Sequence, residues 1–254
     1  MSGIMDNFRI EGRTAIVTGA SSGLGVGFAR ALCEAGGQVV LAARRVDRLE
    51  QVAADLMSAG FRCITVEADV ANAEDCTRVV ACAVEEFGSV DVLVNNAGIG
   101  TAVPATREDP ADFKRVLDVN LSGSYFMAQA CGRVMPPGSS IINVSSIIGL
   151  TSAGLPQAAY ASSKAGLFGM TRDLAAQWSQ RKGIRVNAVA PGFFVTEMSD
   201  AYAPGYLDAQ LERTLMGRAG ELDELSTTVI WLASPASGYV TGQTITVDGG
   251  RTVT

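Results

Sequence analysis

The chain has 254 residues, 48% hydrophobic and 18% charged, with a formal net charge of -6. Such an acidic balance argues against the basic face that nucleic-acid binding requires, and the length suits one large α/β domain spanning 1–254. Histidine is absent altogether, which excludes Ser-His-Asp catalysis, HExxH metal sites and every imidazole base, so protons must move through Tyr, Lys, Asp, Glu or Cys.

The opening "MSGIMDNFRIEGR" carries no apolar stretch long enough for a signal peptide, and no run approaches the roughly eighteen apolar residues of a membrane span. The five cysteines form no CxxC, read as reduced thiols, and with these features predict a cytoplasmic chain without a metal site. The first predicted strand, 14–19, runs into "TGASSGLG" and a helix over 23–36. Glycines there allow a tight turn and close approach of backbone N–H groups to a pyrophosphate. The strict GxGxxG spacing is not met, because Phe28 stands where a small residue is wanted. A second strand, 38–43, ends in Ala43, Arg44 and Arg45 before a helix at 46–59. An acidic residue at that strand end would grip a ribose 2′-hydroxyl, whereas Ala followed by two guanidiniums suits a 2′-phosphate and points to NADP(H), with NAD(H) still possible. The alternative is a solvated arginine pair at a helix start.

The third strand, 62–67, leads to Asp69, and the fourth, 91–96, to Asn95, Asn96, Ala97 and Gly98. These positions lie where open parallel sheets bind ligands, though each also suits an Asx turn, and Asn95 reads as structural. Helices are predicted at 73–87 and 111–134, then a strand at 140–146 ending in Ser145 and Ser146. The next helix, 158–181, opens with "AAYASSK", which sets Tyr160 and Lys164 at the i,i+4 spacing of one helix face. An ammonium beside a phenol lowers its pKa from about 10 toward working pH and makes it a usable acid/base. A strand at 184–190, a helix at 221–233 and a strand at 244–249 complete the pattern. Seven strands with intervening helices predict a Rossmann-like doubly wound parallel sheet with helices on both faces. The stretch 193–218 is too long for an ordinary connection and reads as a substrate lid.

Together "TGASSGLG", "NNAG", Asn120 in "VLDVNLSG", Ser146 in "NVSSIIG", "YASSK", "NAVAPG" and "YVTGQTITVDGG" resemble the short-chain dehydrogenase/reductase family over nearly the whole chain. The resemblance implies hydride transfer between a nicotinamide and a small-molecule secondary alcohol or ketone. It assigns Tyr160 as general acid/base, Lys164 to the nicotinamide ribose and the Tyr160 pKa, Ser146 to the substrate carbonyl, and Asn120 to a relay water. It leaves Ser145 to strand-end packing. It also implies that Gly19, Ser21, Ser22, Gly23, Leu24 and Gly25 line the pyrophosphate turn and that Arg44 and Arg45 meet the 2′ position. Asp69 and Val70 face adenine, Asn96, Ala97 and Gly98 flank the adenosine ribose, and Pro191, Gly192, Val195 and Thr196 border the nicotinamide. The terminal "TGQTITVDGG" resembles an edge that pairs between subunits of a homotetramer.

Three rival readings follow. A 3-oxoacyl-thioester reductase would use Arg133, Arg172, Arg181 and Lys182 to hold an acidic carrier. A non-catalytic nucleotide sensor would have no need of Asn120, Ser146, Tyr160 and Lys164 together. Sugar epimerases and dehydratases of this kind generally add a larger C-terminal region. The loop 147–159 separates Ser146 from Tyr160 by thirteen residues, one more than in many bacterial ketoacyl reductases, so the resemblance leaves the substrate open. Leu150, Leu155, Pro156, Phe193, Phe194 and Met198 suggest an apolar pocket.

Overall fold

A computed structural model describes residues 3–196 and 205–254. The β-branched runs become seven parallel strands: β1 (Thr14–Thr18), β2 (Gln38–Ala43), β3 (Cys63–Glu67), β4 (Val92–Asn95), β5 (Ser140–Val144), β6 (Arg185–Pro191) and β7 (Thr244–Val247). They pair in the order β3-β2-β1-β4-β5-β6-β7, so the chain reverses its direction of winding between β1 and β4. A crevice at such a reversal is where open α/β sheets bind ligands.

Both faces of the central strands are covered, which explains their continuous apolar character. On one face α1 (Leu24–Glu34), α2 (Val46–Ser58) and α8 (Leu222–Ala233) pack Phe28, Leu49 and Val229 against Ala15 and Val17. On the other, α3 (Ala73–Phe87), α5 (Gly123–Val134) and α6 (Ala158–Lys182) pack Val79, Met127 and Leu174 against Ile16 and Ile141. Phe28 is fully buried in the first of these layers. The close helix approach expected of a small residue there is made by Gly27, where a Cβ would stand 2.4 Å from Leu222 of α8.

The predicted helix over 111–134 is present as α4 (Pro110–Leu117) and α5, joined without a break by a π turn at Asp118–Ser122. Asp109 caps α4 by accepting from the N–H of Ala111, with Pro110 at the first position. Gly123 follows the π turn, where a Cβ would come within 2.9 Å of the Val70 carbonyl oxygen. The stretch 193–218 holds one short helix, α7 (Tyr206–Leu211), and a bridge between Phe194 and Gly220; residues 197–204 of the expected lid, including Met198, lie outside the described residues.

A polar core crosses the carboxyl end of the sheet. Asn95 and Asn143 are register partners on β4 and β5, and Asn95 Nδ2 donates to Asn143 Oδ1 (2.9 Å) and to the Ser124 carbonyl (2.9 Å). Asn143 Nδ2 in turn donates to Thr171 on α6 (2.9 Å). Asn95 therefore has the structural role read from its position. No described helix is long and apolar enough to cross a membrane.

Candidate active site

Two adjoining cavities open at the carboxyl edge of the sheet. The larger, about 400 Å³, lies over the β1–β4 reversal. The smaller, about 100 Å³, lies beyond β5 and β6. Leu24, Ser145, Tyr160 and Thr196 line both, so Tyr160 stands at the junction.

The larger cavity begins at the turn after β1. Gly19 has φ +65, and a Cβ on it would meet the Ala97 backbone at 2.8 Å; a Cβ on Gly25 would meet the Gly19 carbonyl oxygen at 2.3 Å. These two positions bring α1 up against the strand ends with backbone touching backbone. The N-cap of α1 is Gly23, with no side-chain cap, so the N–H groups of the first turn are left to a ligand. Asn96 braces the turn by donating to the Thr18 and Gly19 carbonyls (2.9 and 3.2 Å). Gly19, Ser21, Ser22, Gly23, Leu24, Arg44, Arg45, Asp69, Val70, Asn96, Ala97, Gly98 and Thr196 all line this cavity. Gly25 lies behind it, and Pro191 and Gly192 line the smaller one. Val195 is 70% exposed and lines neither. Asp69 combines both of its readings, lining the cavity while its Oδ1 accepts from the Ala71 N–H in an Asx turn (3.0 Å).

At the cavity mouth Ala43 supplies no carboxylate. Arg44 is exposed, and Arg45 donates to the hydroxyls of Ser21 and Ser22, tying the end of β2 to the glycine turn. An uncapped helix N-terminus, a backbone cradle and two guanidiniums fit a dinucleotide with its phosphates.

Lys164 projects from α6 beneath Tyr160. Its Nζ is 5.7 Å from the Tyr160 ring centroid and donates to the Val144 carbonyl at 2.8 Å. Burial pushes its pKa down to about 8, because a cation loses its water there. Ser145 does more than pack: its hydroxyl donates to the Lys164 carbonyl (2.7 Å) and clasps α6 to the end of β5. Ser146, also nearly buried, faces the smaller cavity and accepts from the Ile148 N–H at 3.1 Å.

Asn120, on the π turn, is fully buried, with both amide N–H donors engaged. Its Oδ1 accepts from the Ile99 N–H (2.8 Å), and its Nδ2 donates to the Ile99 carbonyl and the Ser163 hydroxyl (2.9 Å each). Ser163 passes the contact on by donating to the Tyr160 carbonyl (2.7 Å). The side chain anchors the 97–100 loop to the tyrosine's helix.

Within the loop 147–159, read as a substrate wall, and the stretch 193–218, the smaller cavity is lined by side chains not named individually from the sequence: Ile147, Ile148, Gln157 and Tyr206. Phe193 and Phe194 line it as expected. Leu150 and Leu155 instead line a shallow neighbouring groove, and Pro156 is exposed. Tyr206 and Gln210 of α7 both donate to the Ala153 carbonyl (2.9 and 3.1 Å), which joins the two loops that wall the cavity. Gln157 carried a sequence signal, three residues ahead of Tyr160 at the start of the same helix. None of Arg133, Arg172, Arg181 and Lys182 lines either cavity. Lys182 follows Tyr160 by about 33 Å of helix at 1.5 Å per residue, and its ammonium donates to the Gly132 carbonyl.

Among the described residues no group of His, Cys, Asp and Glu side chains is placed to hold a metal ion.

This geometry has relatives. A family described as "Enoyl-(Acyl carrier protein) reductase" matches residues 19–252. The galactitol 2-dehydrogenase (L-tagatose-forming) of Cereibacter sphaeroides is 40% identical over 252 residues, covering 97% of each chain. A 3-oxoacyl-[acyl-carrier-protein] reductase of Staphylococcus epidermidis is 39% identical over 245 residues, 94% of this chain and 98% of that one. The crystal structure of a gluconate 5-dehydrogenase from Burkholderia cenocepacia, in complex with NADP and tartrate, superposes with a TM-score of 0.92 at 35% identity, covering 99% of this chain and all of the other. A glycine cradle at the sheet reversal, a tyrosine between two cavities and end-to-end similarity to these reductases lead to one conclusion: the chain belongs to the short-chain dehydrogenase/reductase family.

Proposed function

We propose that this NAD(P)-dependent oxidoreductase interconverts a secondary alcohol and a ketone, with NADP(H) in the larger cavity and the substrate in the smaller. The observation that carries this reading is the place of Tyr160, on the wall that both cavities share and above a buried ammonium. Bound there, the nicotinamide supplies or accepts the hydride.

The remaining steps belong to the chain. Tyr160 delivers a proton to the carbonyl oxygen in reduction and removes it in oxidation. Lys164, as a cation, favours the phenolate form of Tyr160 and offers N–H donors to the ribose hydroxyls. Ser146 donates to the substrate oxygen and holds it in line with the phenol. Asn120 acts through Ile99 and Ser163 as a positioning residue, and Ser145 keeps α6 in place. Arg44 and Arg45 grip the 2′-phosphate and set the preference for NADP(H). Residues 193–218 cover the substrate; Phe193, Phe194, Thr196 and Tyr206, on either side of 197–204, supply cavity wall. The chain forms one domain and assembles as a homotetramer. Support comes from β7, a half-exposed edge strand, and from the fully exposed Tyr239 beside it.

Galactitol and gluconate, named for the relatives, make polyols and their ketones the first substrates to try. The 3-oxoacyl-thioester reading is favoured by the 39% identical relative, but the basic residues expected to dock a carrier lie along or at the far end of α6 and α5 from the cavities. Nicotinamide absorbance with a panel of secondary alcohols, polyols and ketones tests the reading. Turnover is expected; tight NADPH binding without turnover on any of them would make the chain a nucleotide sensor instead.

A further inference from the structure

Among the described residues no charged side chain lines the smaller cavity. Its described wall is Ile147, Ile148, Pro191, Phe193 and Phe194 with the neutral polar groups of Ser146, Gln157 and Tyr206. Residues 197–204, "EMSDAYAP", lie outside the described residues and include no lysine or arginine. Cations elsewhere around the site do not line this cavity. Arg218, behind Phe193 and Phe194, forks onto Glu224 at 2.8 and 2.6 Å. Arg251, buried behind α7, donates to Gln210 and lines neither cavity. Lys164 faces the larger cavity. A carboxylate or phosphate placed here would lose its water with no counter-ion to replace it.

Gln157 stands out in this wall. It is half-buried, it sits one turn before Tyr160 where the cavity meets the neighbouring groove, and its side-chain amide makes no hydrogen bond among the described residues. A half-buried amide facing a cavity is a donor and an acceptor for whatever enters.

We propose that the smaller cavity selects an uncharged carbonyl compound and its alcohol, with Gln157 recognising a second oxygen of the substrate beside the reacting one. This deepens the reading of the site as an alcohol–ketone oxidoreductase and rests on it. The chain would then reject the aldonate class of substrate while resembling an enzyme named for gluconate.

Acetoacetamide and acetoacetate have the same shape and differ in charge, so they form the test pair. In the dead-end complex with NADP+ no hydride is available, and calorimetry reads affinity alone. Acetoacetamide is expected to bind about a hundredfold more tightly than acetoacetate. Equal affinities, a preference for the anion, or failure of acetoacetamide to bind the NADP+ complex would overturn the inference.

Gln157→Leu is expected to weaken acetoacetamide about tenfold while leaving 4-methyl-2-pentanone, which lacks the second oxygen, within about twofold. Equal losses for both ketones would overturn the role of Gln157. With NADPH, hydride adds to C3 of acetoacetamide, a proton from Tyr160 joins the oxygen, and the products are 3-hydroxybutyramide and NADP+. Tight binding without NADPH oxidation would overturn the proposed reaction and leave the charge selectivity standing.

Discussion

The two cavities are built by different means. The cofactor cleft is made from strand ends and a backbone turn, where Gly25 and Gly19 approach so closely that one added methyl group has nowhere to go. The substrate cavity takes its walls from connections, 147–157 and the flanks of 197–204. There Gly154 and Gly205 have nothing within 4 Å of an added Cβ, whereas Gly149 and Gly192, where the walls meet α6 and the end of β7, are as tight as the turn. The difference shows where the fold fixes chemistry and where it leaves room. Strand ends answer to the whole sheet, whereas the tips of the loops, such as Gly154 and Gly205, answer to one another through contacts such as those of Tyr206 and Gln210 with Ala153.

The sharpest test lies at the junction. Tyr160→Phe keeps the ring but loses the proton, so turnover should fall by about a hundredfold to ten-thousandfold with NADPH affinity nearly unchanged. A variant keeping a third of wild-type turnover would remove Tyr160 from the chemistry.

Next is the rigid side of the comparison. Gly25→Ala should destabilise the fold by about 3 kcal/mol or more and abolish NADPH binding, since its Cβ meets backbone rather than a movable side chain. Urea denaturation measures the first effect and fluorescence titration the second.

Lys164 extends the comparison into pH. The folded chain releases this proton near pH 8, while the unfolded lysine keeps it until about 10.5. Between those values the unfolded state binds more protons, so burial of the lysine costs most below pH 8 and the cost fades as pH rises. The unfolding free energy of the wild type relative to Lys164→Met should therefore increase by a few kcal/mol from pH 7 to pH 10. A flat difference would mean that the ammonium is well solvated.

Cofactor choice is a smaller effect. Guanidinium–phosphate hydrogen bonds worth about 1.5–3 kcal/mol should favour NADPH over NADH by roughly ten- to a hundredfold in kcat/KM, less at high salt. Ala43→Asp with Arg44→Ala should reverse the order through repulsion of the 2′-phosphate. Wild-type preference for NADH would show that these arginines serve only the turn and the next helix. The smallest effect belongs to the loose side: Gly154→Ala, strained at φ +79 but sterically open, should cost about 1 kcal/mol. A cost equal to that of Gly25→Ala would erase the contrast between the regions.

The same contrast governs what was legible in the sequence. The strands, their doubly wound parallel arrangement and the glycine turn follow from buried β-branched runs and short motifs, and Asn95 was correctly read as structural. The π turn was not visible, because five residues are too few to distinguish its periodicity from that of an α-helix. The anchoring contacts of Asn120 were not visible either, since Ile99 lies 21 residues and Ser163 43 residues away in sequence. Ser145 was underestimated, because its bond to the Lys164 carbonyl needs the helix in place. In the loops, hydropathy told that a residue was apolar but not which way it faced, so Phe193 and Phe194 reach the cavity while Leu150 and Leu155 do not.

The paired amides of Asn95 and Asn143 have a further consequence. Strands buried on both faces carry almost no information about their own alignment, because a slid Val or Ile meets another Val or Ile. Among the neighbouring aliphatic positions of β4 and β5 these two asparagines are distinctive, and they face each other in the native ladder. Sliding either strand by one residue would turn an amide toward the wrong helix layer and strand it without a partner, a far heavier penalty than any repacking of methyl groups. The pair works as a parity check on the assembly of the sheet, rejecting misaligned copies before the site above it can form.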